Sequence, residues 1–140
     1  MALVVDASAM YAMADAAETR HAAVDAILSA EREPVITTEL AVAEADYLIL
    51  DRLGPEAEAA FLEDLVEGTY VVECLDRPSL GRARDLIARY RALQIGLADA
   101  SLVVLAAEYG TRRILSFDER GFRAITPLNG GAFTILPADA

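Results

Sequence analysis

The chain has no lysine: all 12 of its basic residues are arginine. That absence removes every chemistry built on an ammonium side chain, including P-loop phosphate binding, Schiff-base formation and serine–lysine dyads. Cysteine and histidine occur once each, as Cys74 and His21. Single copies cannot assemble a zinc finger, a cysteine–histidine pair or a two-histidine metal site within one chain, so an intramolecular metal site has to use oxygen ligands. Disulfide staples are equally out of reach. At 140 residues none is needed, because a domain of this size buries roughly two thirds of the surface its unfolded chain exposes.

Long uncharged apolar runs are missing too. The most apolar segment, SLVVLAA, is bracketed by Asp99 and Glu108, far short of the roughly 20 residues that span a bilayer. There is no basic N-terminal region, and Asp6 falls where an exported precursor would carry its apolar core. The expectation is a soluble, cytoplasmic protein without a membrane partner. A hydrophobic content of 55% with 25% charged residues predicts one folded domain over residues 1–140 and no disordered tail. The net charge of -11 repels a phosphate backbone and suits a basic protein partner. Bound divalent cations and local arginine clusters reverse that sign where they sit.

What is present is an alternation of strand and helix patterns. Short β-rich runs stand at ALVV, PVIT, TYVVECL, RRILSF and AFTILP. Between them lie helical patterns: SAMYAMADAA, then TRHAAVDAILSAERE with Ala22, Val24, Ile27 and Leu28 at helical spacing, ended by Pro34. ELAVAEADYLILDRLG has Thr37 or Thr38 as its cap and Gly54 as its end, and Pro55 starts PEAEAAFLEDLVEG, closed by Gly68. RPSLGRARDLIARYRALQ carries an arginine face (Arg82, Arg84, Arg89, Arg91) that reads as solvated surface, and LADASLVVLAAEYG reads as a buried helix. This order predicts an α/β fold, a three-layer α/β/α sandwich around a central parallel five-stranded sheet. Sites in such sheets form outside the carboxyl ends of the strands.

Two strands are followed there by an aspartate: Asp6 after ALVV and Asp118 after ILSF. If the strands are neighbours their ends lie about 5 Å apart. Asp99 shares a helix face with Leu102, Val103 and Ala106, so its carboxylate points inward. Glu44 and Asp46 are both surrounded by apolar residues at helical spacing, and spacing does not choose between them. Two carboxylates at 4 Å repel by about 4 kcal/mol at an effective dielectric of 20. Such a cluster calls for a cation, and an all-carboxylate donor set matches hard ions, Mg²⁺ or Mn²⁺, which keep several waters. A metal-acidified water can hydrolyse a phosphodiester without histidine or lysine. Arg112, Arg113 and Arg120, all near Asp118 in sequence, are candidates to hold phosphate beside it.

Each acid also has a purely structural explanation. Asp6 and Asp118 can cap the helices that follow them, and Asp99 in a first helical turn complements the macrodipole. Cys74 reads as a small buried hydrophobe, His21 as a solvated helix residue and Asn129-Gly130-Gly131 as a turn.

The motifs taken together resemble those of the PIN-domain ribonucleases, and within them the VapC toxins of toxin–antitoxin pairs. VVDASAM is similar to the first-strand motif, AVAEADYL to the glutamate helix, IGLADASLVVLAAEYG to the central aspartate helix, and ILSFDERGF to the final aspartate motif. The resemblance implies that Asp6, Glu44, Asp99 and Asp118 are the metal-binding catalytic acids, preferring Glu44 to Asp46, with Ser8 and Ser116 as supporting hydroxyls. Ser116 stands where threonine is more usual. It also implies a Mg²⁺-dependent endoribonuclease cutting structured RNA (tRNA or rRNA), a homodimer, and a VapB-like antitoxin that fills the active-site groove. Two rivals remain at this level: a PIN-fold binding module without catalysis, and an aspartate-based phosphoryl-transfer domain, which the missing lysine disfavours.

Overall fold

The computed structural model describes residues 1–140. Strands β1 (Leu3–Val5), β2 (Val35–Thr38), β3 (Val71–Glu73), β4 (Arg113–Leu115) and β5 (Thr134–Leu136) form one parallel sheet in the order β3-β2-β1-β4-β5. The helices are α1 (Ala7–Ala14), α2 (His21–Ala30), α3 (Glu39–Leu53), α4 (Pro55–Glu67), α5 (Arg77–Arg89), α6 (Leu97–Glu108) and α7 (Glu119–Ala124), with a 3₁₀ turn at Arg91–Leu93. The expected α/β/α sandwich is the architecture adopted.

Leu3, Val4 and Val5 are all fully buried, as befits a central strand covered on both faces, whose sequence is a continuous apolar run rather than an alternation. From β1 the chain builds outward through β2 to β3, then crosses back to lay β4 on the other side of β1. The carboxyl ends of β1 and β4 therefore flank the point where strand order reverses, the place where open α/β sheets leave a crevice. Val5 is in register with Leu115, so the residues that leave these two strands leave side by side.

Helix boundaries follow the punctuation in the sequence. The Thr38 hydroxyl accepts from the Ala41 amide and caps α3. At the other end Gly54, with φ 94°, turns the chain through a conformation that a side chain disfavours, and Pro55 opens α4 without losing a hydrogen bond. No helix is long and apolar enough to cross a membrane.

Three local expectations need correction. β4 stops at Leu115 instead of running on to deliver Asp118, because the Ser116 hydroxyl accepts from the Asp118 amide two residues on and bends the chain out of the sheet. Cys74 is exposed, since it follows an edge strand whose own valines are only partly covered. His21 is not freely solvated: its Nδ1 lies 2.9 Å from the Ala12 carbonyl oxygen, closing the end of α1.

The short helix α7 is tied to the sheet by Phe122, buried and packed edge-on to Phe133 with ring centroids 6.0 Å apart. Truncation of an aromatic in such a position costs about 3–5 kcal/mol. Phe122→Ala is expected to lower unfolding stability by that amount in urea titration; a loss below 1 kcal/mol would mean that α7 is not anchored through this ring.

Candidate metal centre

Asp6 follows β1 and serves two purposes at once. Its Oδ1 accepts from the Ala9 amide at 3.0 Å, capping α1, and from the Ser8 hydroxyl at 2.6 Å. Its Oδ2 accepts from the Ser116 hydroxyl. Both serines also reach across to the segment after β4: Ser8 Oγ accepts from the Phe117 amide at 3.0 Å and Ser116 Oγ from the Asp118 amide at 2.9 Å. One carboxylate and two hydroxyls thus stitch the exits of β1 and β4 together. Burial pushes the Asp6 carboxyl above its ordinary range, against hydrogen bonds from Ser116, Ser8 and the Ala9 amide that favour the charged form; the Asp118 charge adds to the upward push. Three donors occupy most of the acceptor positions of a carboxylate, leaving little but one lone-pair direction for a further ligand.

Asp118 is exposed, and its Oδ1 caps α7 by accepting from the Gly121 amide at 3.1 Å. A Cβ on Gly121 would meet the Asp118 carboxylate at 2.6 Å. The glycine is there for that close approach, a signal visible in DERGF only once the cap is known.

Asp99 sits in the first turn of α6, half-buried. Burial, then the charges of Asp6, Glu44 and Asp118, push its carboxyl up to about 7. That field identifies the acids which the fold gathers: Asp99 feels all three of the other candidates. Asp46 is absent from it. Its side chain faces α4 and raises the carboxyl of Glu58, and one of its oxygens is buried without a hydrogen-bond partner. Glu44 is exposed rather than turned inward as its apolar neighbours suggested, because this part of α3 borders the open crevice instead of the core.

α3 and α6 are locked together by a pair of which the sequence singled out only one member, Thr38, and only as a cap. Thr38 Oγ1 and Ser101 Oγ are 2.7 Å apart, and Ser101 Oγ donates to the Ala98 carbonyl at 2.6 Å. This buried chain fixes the start of the glutamate helix against the turn that carries Asp99. Threonine and serine in apolar surroundings were the available signal, since a buried hydroxyl needs a partner.

Of the three candidate phosphate-binding arginines, only Arg120 is at the site. It lines a cavity of about 360 Å³ with Asp99, Asp118 and Gly121. Arg113 opens β4 at the opposite edge of the sheet and is paired with Glu31 at 2.6 Å, while Arg112 donates to the Gly130 and Asn129 carbonyls. Proximity in sequence misled here: a strand carries its first and last residues to opposite edges.

No three of these carboxylates converge closely enough to chelate an ion in this conformation. The donor set is nonetheless entirely hard oxygen, and the Asp99 carboxyl is pushed up by burial and then by its neighbours' charges, which fits a hard divalent cation bound through few direct carboxylate contacts and several waters. Because the folded state disfavours the Asp99 anion, the metal-free protein loses stability as pH rises from about 4 to 7, and the penalty persists above that range. Asp99→Asn is expected to stabilise the metal-free protein on the order of 2–4 kcal/mol at pH 8 and by nothing near pH 4. Thermal melts in EDTA check this; an advantage equal at both pH values would show that charge is not its source.

A PIN domain family model matches residues 3–126. Ribonuclease VapC26 of Mycobacterium tuberculosis is 38% identical over 135 residues, covering 96% of this chain and all of that protein. The crystal structure of Mycobacterium tuberculosis VapC20, described as a sarcin-ricin loop cleaving toxin, superposes with a TM-score of 0.80 over 87% of this chain and 94% of that one. Sequence identity there is 20%, so that likeness speaks to the fold alone. With the strand order, the acid-bearing crevice and these matches in agreement, the chain belongs to the PIN-domain family.

Proposed function

We propose that the protein is a metal-dependent endoribonuclease of the VapC toxin type, acting on structured RNA and silenced by a VapB-like antitoxin. The observation that carries the reading is the mutual field of Asp6, Glu44, Asp99 and Asp118 at the reversal point of the sheet. These four would hold the divalent ion, Mg²⁺ or Mn²⁺. Such an ion, when bound, supplies an acidified water and offsets charge on phosphodiester oxygens.

The chain's own residues do the positioning. Ser8 and Ser116 hold Asp6 in one orientation and keep its charge hydrogen-bonded. Gly121 lets the Asp118 carboxylate lie flat on the start of α7. Arg120 makes no ion pair and faces the cavity between Asp99 and Asp118, where it can receive a phosphate oxygen. The acidic crevice also suits an arginine-bearing antitoxin tail. Tyr47, Leu50, Leu62 and Val66, exposed on α3 and α4, supply apolar surface for a homodimer. An aspartyl-phosphate chemistry has no support: both Asp6 oxygens are engaged by donors and the chain has no lysine.

Purified protein free of any partner is expected to cut RNA with Mg²⁺ or Mn²⁺ and to stop in EDTA. Asp6→Asn or Asp99→Asn should abolish cutting while circular dichroism stays unchanged; undiminished cleavage in EDTA, or by both variants, would sink the metal reading. Gly121→Ala displaces a carboxylate without emptying the core, and activity is expected to fall about 100-fold at a nearly unchanged melting temperature. Wild-type rates in that variant would remove Asp118 from the machinery.

A further inference from the structure

We infer that the crevice continues into an arginine-lined furrow that holds the RNA strand running away from the cleavage point. The inference rests on the nuclease reading and deepens it. A second cavity, of about 480 Å³, is lined by Arg82, Asp85, Leu86, Arg89 and Leu128. The two hollows have no lining residue in common but draw on the same two stretches of chain. One wall is α5 with the 3₁₀ turn after it: Arg82 and Arg89 face the outer cavity, and Leu93 and Ile95 face the inner one. The other wall is α7 with the loop after it, running the opposite way: Arg120 and Gly121 face the inner cavity and Leu128 the outer. Tyr90 and Thr126, which lie in sequence between the two sets of lining residues, join these stretches: the Tyr90 hydroxyl accepts from the Thr126 amide at 3.1 Å.

The charge in this furrow is free at Arg89 and only loosely engaged at Arg82. Most arginines near the sheet are spoken for: Arg113 by Glu31, Arg123 by Glu119 and Asp139, Arg112 by carbonyl oxygens. Arg89 has no carboxylate within ion-pair distance, and the nearest to Arg82 is Glu108 at 3.9 Å. The one acid in the furrow, Asp85, is answered by Arg84 at 3.1 Å. Arg82 and Arg89 are seven residues apart on one helix face, about 10 Å along the axis, with Leu86 between them and Leu128 opposite. Cationic groups alternating with apolar surface suit phosphates and base faces in turn. An acidic peptide would meet the same arginines, but its continuation would run into four carboxylates, whereas an RNA strand reaches those acids together with divalent ions.

The test is RNA binding in an Asp99→Asn background with Mg²⁺, using a fluorescently labelled 20-nucleotide single strand titrated from 50 to 200 mM salt. Arg82→Ala/Arg89→Ala is compared with the equal-charge change Arg32→Ala/Arg77→Ala, two exposed arginines outside the furrow. Removing two phosphate contacts is expected to weaken binding roughly 5–30-fold and to flatten the log–log salt slope by about 1.4. The control pair should leave the slope unchanged, and Arg82→Lys/Arg89→Lys should restore most of it. Equal behaviour of the furrow and control pairs would overturn the furrow while leaving Mg²⁺-dependent cleavage untouched. An oligoglutamate peptide whose binding is lost in the furrow pair, with RNA binding unaffected, would reassign the surface to an acidic protein segment and overturn it too. Failure of the unsubstituted protein to cleave any RNA would instead remove the reading beneath it.

Discussion

The hydrogen bonds around Asp6 are the constraint on which the site depends. Through Ser8 and Ser116 one buried carboxylate joins the exits of β1 and β4, and by its Ala9 bond it also starts α1. Each partner segment is thereby fixed relative to the others: the chain after β4 bends at Ser116, Asp118 is delivered to α7, and Phe122 locks that helix to the core. A carboxylate left unpaired at this depth would cost several kcal/mol. Its partners are neutral hydroxyls and an amide, which favour the charged form while burial opposes it.

Burial and the mutual repulsion of neighbouring carboxylates set the electrostatics of the crevice. Burial, and then the charges of three other acids, raise the Asp99 carboxyl to about 7, and no arginine is close enough to relieve them by an ion pair. Like-charged groups gathered without a cationic partner are unfavourable in themselves.

Helix capping and active-site chemistry did not compete as explanations. Asp6 and Asp118 are both caps, as the simplest reading of each alone suggested, and both still belong to the cluster. A cap takes one acceptor position of a carboxylate: Asp118 caps through Oδ1 alone, while Asp6, bonded by three donors, keeps little more than one lone-pair direction. Strand and helix order, the caps at Thr38 and Asp6 and the breaks at Gly54, Pro55 and Gly68 were legible because each depends on a residue and its near neighbours. Glu44's exposure, the Thr38–Ser101 lock and the role of Gly121 were not, because each depends on what lies across a gap in sequence.

By itself the sequence determined the chemistry available: oxygen donors, guanidinium cations, no ammonium group and no soft metal ligand. It determined the layered α/β architecture as well, since periodicity and punctuation are local. Only the tertiary structure decided which residues act together. Strand order put β1 beside β4 and made their exits one place. The direction of β4 sent Arg113 to the far edge while Arg120 came to the acids, and the pairing of α5 with the chain after α7 opened the furrow. Distances between segments far apart in the chain are set by packing, and the number of residues between them carries no record of it.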